Sequence, residues 1–447
     1  MNADDRRLLT RNIILVIIIG MAIRLIVGTF LKYNFDSYHW ALILSNIQSG
    51  EGLYDVAGYY YPPVWGYLLG VFSEISTFMG LDAFGDKFTE LLYTEIDMVM
   101  FGHMAFTTTP LFNFAYTTFL TISDLLVAYM IFWIIREYFG DGRKARVGFT
   151  AYFLGIYIIA VCTVGGMFDT FSALITLVSV CLLMKNKDFL AGMMFAMAVL
   201  LKLFPGFLIL LIIAYLYKKG QDEWKNRLGR FIIGCVLCTI IIMVPQIIDG
   251  TVVDSFSFIL SRAGQSVESY KVIVKYGAML LYVGIMILEI IISRTFFRKE
   301  HKDIDKEFIW FAFMSLAVVS LCPGTPQYII LMTPFLIIAA CCYYKDFWKP
   351  FIFQMLGTTL FQLSPLSMEL TTATMYTDLM SFDTWSVLYS FFENEVFGFT
   401  LFDVWGFFGG VLQYLGTLIT MLVLVRLYGL IPKSIRQNKY PPKELEE

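Results

Sequence analysis

A succession of apolar runs, each near the length that crosses a hydrocarbon core, constrains this chain more than any other feature. The first, Asn12 to Phe30, lacks a small-residue cleavage site, so it reads as a retained anchor and not as a signal peptide. Further runs lie near 63–80, 111–135, 147–164, 169–184, 189–201, 203–217, 231–248, 276–296, 308–322, 327–343, 350–366 and 405–428. Several are shorter than the roughly 17 residues a crossing needs, so short or tilted helices are expected. The pair within 189–217, broken at Lys202-Leu203-Phe204-Pro205, is the clearest case. Composition leads the same way: 58% of the 447 residues are hydrophobic and only 15% are charged, against about 25% charged in soluble domains. No soluble core could bury so much apolar surface, so the lipid bilayer is the expected solvent. The expectation is an all-α polytopic integral membrane protein, one transmembrane domain over residues 1–447, with about 12–14 transmembrane helices.

Lys and Arg gather at 6–11, 136–146, 185–187, 218–230, 294–306, 345–349 and in the tail from 426. The positive-inside rule puts these stretches and both termini in the cytoplasm. The opposite face then carries the loop 32–62, the short connections 165–168 and 323–326, and the loops 249–275 and 367–404. Residues 63–110 contribute two crossings or none. Within them Thr89–Phe106 holds Glu90, Glu95 and Asp97, which suits a helix lying on the membrane better than a span. No basic stripe for nucleic acid is present, and no internal repeat of the kind common in secondary transporters. The sequence leaves room for a partner subunit.

Charges within or beside spans are costly and usually functional. Those hardest to explain as solvated surface are Asp36, Asp124, Asp169, Lys202 and Arg262, and four of the five fall near the non-cytoplasmic face. Asp36 follows the first span, with His39 close behind and Tyr54, Tyr59, Tyr60 and Tyr61 after it. Aromatics form an interfacial belt in any membrane protein, but they also cover sugar rings while their hydroxyls hydrogen-bond. Asp124 sits in mid-span, where a bond to Ser123 or to a neighbouring helix competes with a catalytic role. Asp169 opens a helix, where it caps the free amides or faces a site. Lys202 interrupts an apolar run just before the helix-breaking Pro205. It either snorkels to the surface or clamps a phosphate, aided by Arg262 in Ser261-Arg262-Ala263-Gly264-Gln265-Ser266.

Other candidate motifs fall away. Seven cysteines, Cys162, Cys181, Cys235, Cys238, Cys322, Cys341 and Cys342, all lie in apolar stretches, and Cys235-Val236-Leu237-Cys238 reads as small packing residues. Asp303-Ile304-Asp305 has the form of a metal-holding DxD but sits in a cytoplasmic charge cluster. His103 and His301 are isolated, so no zinc set exists. No metal or other cofactor is called for.

Asp36 with Gly52-Leu53-Tyr54, Tyr61-Pro62-Pro63, Ser123-Asp124-Leu125, Gly166-Met167-Phe168-Asp169, Lys202-Leu203-Phe204-Pro205, Arg262 with Gln265-Ser266, and Pro326-Gln327-Tyr328 follow one another in an order that resembles the GT-C glycosyltransferases. Within that superfamily the chain is most similar to glycosyltransferase family 87 and the catalytic subunit of GPI mannosyltransferase I. The resemblance implies a GT-C fold and a polyprenyl-phosphate-sugar donor, with mannose the usual sugar, attacked by a hydroxyl of a glycan or lipid-linked acceptor. It implies Asp36 as the base, Lys202 and Arg262 on the donor phosphate, and His39, Tyr61, Asp169, Gln265, Gln327 and Tyr328 around the sugar. One carboxylate with no second nucleophile points to direct displacement with inversion. Asp36-Ser37-Tyr38 lacks the second Asp of the eukaryotic relatives' DxD. The alternatives are a flippase for lipid-linked sugars, a lipid-linked oligosaccharide polymerase or ligase, and a non-enzymatic scaffold.

Overall fold

The computed structural model describes residues 3–55, 59, 61–84, 107–256, 269–318, 326–363, 372–381, 383–384, 387, 390–391 and 394–428. These residues form helices: α1 (Ala3–Phe30), α2 (Asn34–Gln48), α3 (Pro63–Phe78), α4 (Pro110–Phe139), α5 (Gly142–Phe153), α6 (Asp169–Met184), α7 (Asp188–Leu201), α8 (Ile209–Gly220), α9 (Trp224–Asp249), α10 (Ser269–Arg298), α11 (Ile304–Ala317), α12 (Thr333–Cys342), α13 (Trp348–Leu363) and α14 (Leu401–Tyr428). Short 3-10 turns join several of them, and no named strand occurs among the described residues.

Four described stretches are long and apolar enough to cross a membrane: Asn12–Phe30, Pro110–Phe139, Gly142–Val164 and Phe204–Asp249. Asp169–Met184, Asp188–Leu201 and Thr333–Cys342 are apolar but shorter. The larger crossing number expected from the sequence admits such short runs as spans. The outward surface is what a bilayer solvates: Ile18 is 59% exposed, Ile241 57% and Leu280 72%.

Local chemistry sets the helix ends. Thr109 caps α4, accepting a hydrogen bond from the Phe112 amide, with Pro110 in the first turn. Asp141 caps α5 by accepting from the Arg143 and Lys144 amides, both at 2.9 Å. The loop expected at 32–62 holds a helix instead. In α2, Trp40, Ile43 and Leu44 are buried at helical spacing against Trp65, Leu69 and Phe72 of α3. After α5 the chain passes through a short turn into a π-helical turn, Ile159–Val164, where the Gly165 amide reaches back to the Ala160 carbonyl at 2.9 Å.

Two apolar cores result. The larger joins α4, α5, α6, α8, α11 and α12. The smaller gathers α2, α3, the start of α4, Phe168 and the end of α7. Where α7 crosses α9 the backbones nearly touch: a Cβ on Gly192 would overlap the Phe231 carbonyl, and one on Gly234 the Phe189 carbonyl. Cys235 donates to the Gly192 carbonyl at 3.2 Å in this crossing, and Cys238 is buried, so both serve as small packing residues.

Candidate functional site

The smaller core opens on a cluster built around Phe168, in the bend between the π-helical turn and α6. Trp65 stacks on its ring at 4.3 Å, while Trp40 and Tyr61 meet it edge-on at 5.5 and 5.2 Å. Pro62 and Pro63 turn the chain so that Tyr61 faces this cluster. The bend is held by Tyr54, whose hydroxyl donates to the Tyr61 carbonyl at 2.9 Å, and by Tyr59, whose hydroxyl donates to the Pro62 carbonyl and accepts from the Gly66 amide. Burial raises the Tyr54 and Tyr59 hydroxyls well above their usual pKa, so both stay neutral donors.

Asp169 and Lys202 form an ion pair beside Phe168, with side chains only 4% and 8% exposed. The Lys202 ammonium lies 5.4 Å over the Phe168 ring and 5.0 Å over Tyr328, which in turn packs on Phe204 at 4.5 Å. The extended backbone at Lys202 ends α7 and turns the side chain inward. For each residue this removes one of the two alternatives that the sequence leaves open. Lys202 does not snorkel, because a buried carboxylate holds it. Asp169 is not the N-cap of α6: Phe168 occupies that position, and the Asp169 carboxylate meets Lys202.

A second buried cation stands behind the cluster. Lys32 donates to Thr117 Oγ1 at 3.1 Å and to the Thr163 carbonyl at 2.6 Å, with Tyr116 below it. Burial lowers its pKa to about 7. Tyr116 donates to the Gly166 carbonyl at 2.9 Å. Gly166 has φ +67°, and a Cβ there would sit 3.2 Å from Ser37 Oγ, so glycine is required. Asp36 lies in the first turn of α2, half-buried, near enough to Tyr116 for its charge to be felt there. His39, one turn on, meets Trp40 edge-on at 4.9 Å, and burial pushes its imidazole below the usual pKa.

Four polar atoms here are buried and meet no hydrogen-bond partner among the described residues: Asp169 Oδ2, Trp40 Nε1, Trp65 Nε1 and Ser37 Oγ. Each costs about 1–3 kcal/mol if nothing ever bonds it. Together they offer an acceptor, two N–H donors and a hydroxyl over aromatic faces.

The chain matches no protein-family model, and a search of curated proteins finds no match either.

Of the residues expected from the sequence, Tyr61, Asp169, Lys202 and Tyr328 converge directly, and Asp36 and His39 share the adjoining helix. Gln327 lies in the 3-10 turn Pro326–Leu331 beside Tyr328, its side chain not described. Arg262 and Gln265 lie outside the described residues. Asp124 is structural: Arg24 of α1 donates to its Oδ2 at 3.0 Å, and both side chains are buried. Asp303 caps α11 and pairs with Lys306, while Asp305 accepts from Lys219 and Tyr215, so both carboxylates of the DxD are used in packing. No group of three metal-ligating side chains occurs among the described residues. Sequence reasoning missed Arg24, Lys32 and Trp65, and also Glu289, which is buried in α10 away from this cluster's described contacts. The rule that flagged Asp124, charge within an apolar run, flags Arg24 and Glu289 equally. The i, i+3, i+4, i+7 spacing of Trp40, Ile43, Leu44 and Ile47 was the signal for α2.

Proposed function

We propose that the protein is an inverting glycosyltransferase of the GT-C kind, moving a sugar, in the first instance mannose, from a polyprenyl-phosphate donor to an acceptor hydroxyl. The observation that carries this reading is the set of unpartnered buried atoms around Phe168, beside the Lys202–Asp169 pair. Flat aromatic faces with inward acceptor and donor atoms suit a pyranose and its hydroxyls. The neutral imidazole of His39 suits a sugar hydroxyl better than an anion. Both termini lie in the cytoplasm on this reading, and the cluster opens on the opposite face.

The acceptor oxygen attacks the anomeric carbon from the side of Asp36, which takes its proton. The carbon–oxygen bond to the phosphate breaks, the electron pair leaves with the phosphate, and the configuration inverts. Lys202 has donors to spare beyond Asp169 and meets the developing phosphate charge, joined by Arg262. Gln265, Gln327, Tyr61 and Tyr328 contact the sugar.

The test is sugar transfer by membranes carrying the parent or Asp36→Asn, supplied with a panel of polyprenyl-phosphate sugars. The expected result is transfer by the parent and a loss of about 10²–10⁴-fold in the variant, with equal insertion. Equal transfer by both removes Asp36 as the base. Transfer by neither, together with lipid-linked sugar crossing vesicles that contain the parent, replaces the enzyme with the flippase.

A further inference from the structure

A second concave feature lies away from the Phe168 cluster, where the basic start of α5 meets the start of the first span. It is a groove of about 590 Å³ between α1, α5 and α13, lined in part by Asn12, Arg143, Arg146, Val147, Thr150 and Trp348. Arg143 and Arg146 stand three apart on α5 and so share a face. Arg146 Nε is buried and meets no hydrogen-bond partner, and neither guanidinium is ion-paired among the described residues. The nearby Asp141 is occupied in capping α5 and lies 3.8 Å from Lys144, and no carboxylate is among the described residues that line the groove. The lining is otherwise mostly apolar, with Ile13 and Val16 contributed by α1. Asn12 and Gly142 each begin a membrane-length stretch, so the groove lies at the level where headgroups meet acyl chains. Trp348, in the lining, is of the residue type that gathers at that interface.

We infer that this groove is a binding site for an anionic glycerophospholipid of the surrounding bilayer, independent of the sugar-transfer reading. Its phosphate meets Arg143 and Arg146, with Asn12 and Thr150 offering hydrogen bonds, and one acyl chain lies along α1. Guanidinium forks hold phosphate oxygens in pairs, and the unbonded Arg146 Nε is the donor such a phosphate satisfies. The lipid links α1, α5 and α13 at one end of the bundle.

The full-length protein in neutral detergent is titrated with phosphatidylglycerol and, separately, with phosphatidylcholine of the same chains, and bound lipid is counted by native mass spectrometry. Phosphatidylglycerol is expected to bind the more tightly. Arg143→Ala and Arg146→Ala are each expected to weaken it about five-fold while phosphatidylcholine binding stays unchanged. Val147→Trp keeps both arginines but fills the groove from a side chain that is 52% exposed, so it should abolish the preference without unfolding the protein. Equal binding of the two lipids by the parent overturns the inference. So does undiminished phosphatidylglycerol binding by Val147→Trp, which reduces the effect to diffuse surface charge. Displacement of the lipid by millimolar inorganic phosphate shows a free-anion site and overturns it as well.

Discussion

Lys32 and Arg24 solve one problem, a cation inside the protein, in two ways. Arg24 has a carboxylate; among the described residues Lys32 meets a hydroxyl, a carbonyl and a ring. Removing one member of a buried ion pair leaves the other charge uncompensated. Arg24→Met should therefore cost about 3–5 kcal/mol, and the double change Arg24→Met with Asp124→Leu should recover most of it. Thermal unfolding in detergent checks both. Lys32 behaves differently. Its folded pKa, about 7, lies below the ordinary lysine value of 10.5, so between those pH values the unfolded chain carries more protons. Stability then rises with pH across that window, by an amount on the order of a few kcal/mol, and is flat below it. Lys32→Met should remove the slope, as seen in unfolding midpoints taken from pH 6 to 10. A parent with no slope would mean that Lys32 stays charged when folded. Arg24 met the same rule as Asp124 but was passed over inside a run that reads as a plain anchor, and Lys32, just past α1, reads as an ordinary loop cation. Asp169 and Lys202 did stand out, yet their pairing was hidden, since residues 33 apart become neighbours only when α6 and α7 pack.

At the level of elements, the ends of α6 and α14 lie close to where apolar runs end in the sequence, because a helix surrounded by core or by lipid is apolar nearly all round and stops where that stops. Residues 32–62 were not legible in the same way. Asp36, Ser37, His39 and Asn46 break the apolar run, and a helix buried on one face only is easily read as a polar loop. The π-helical turn left no trace, since it comes from a tertiary fit between the Lys32 bonds and the Gly166 bend. The α7–α9 crossing gives a direct test of packing. Gly192→Ala must push the two backbones apart, and a loss of about 1–3 kcal/mol is expected. Gly229→Ala, on the same α9 but in open space, should be neutral or stabilise by up to about 1 kcal/mol through helix propensity. Detergent melting curves of the two variants should move in opposite directions or only the first should move.

Across the whole molecule, the basic stretch 218–230 and the turn after Gly250 lie at opposite ends of α9. Lys225 and Val253 are both exposed, so cysteines placed there should react with an impermeant maleimide from opposite sides of sealed vesicles. Labelling of both from one side would mean that α9 does not cross. The described native thiols are buried or half-buried and give little background. The same long-range view bears on how the chain is made. The arginine in α1 and the aspartate that answers it lie 100 residues apart. At a synthesis rate of roughly 5–20 residues per second, α1 waits on the order of 5–20 s with its cation unanswered. During that interval it belongs less to the lipid than to whatever holds nascent helices at the ribosome's exit, and its final place in the membrane is settled only when α4 arrives.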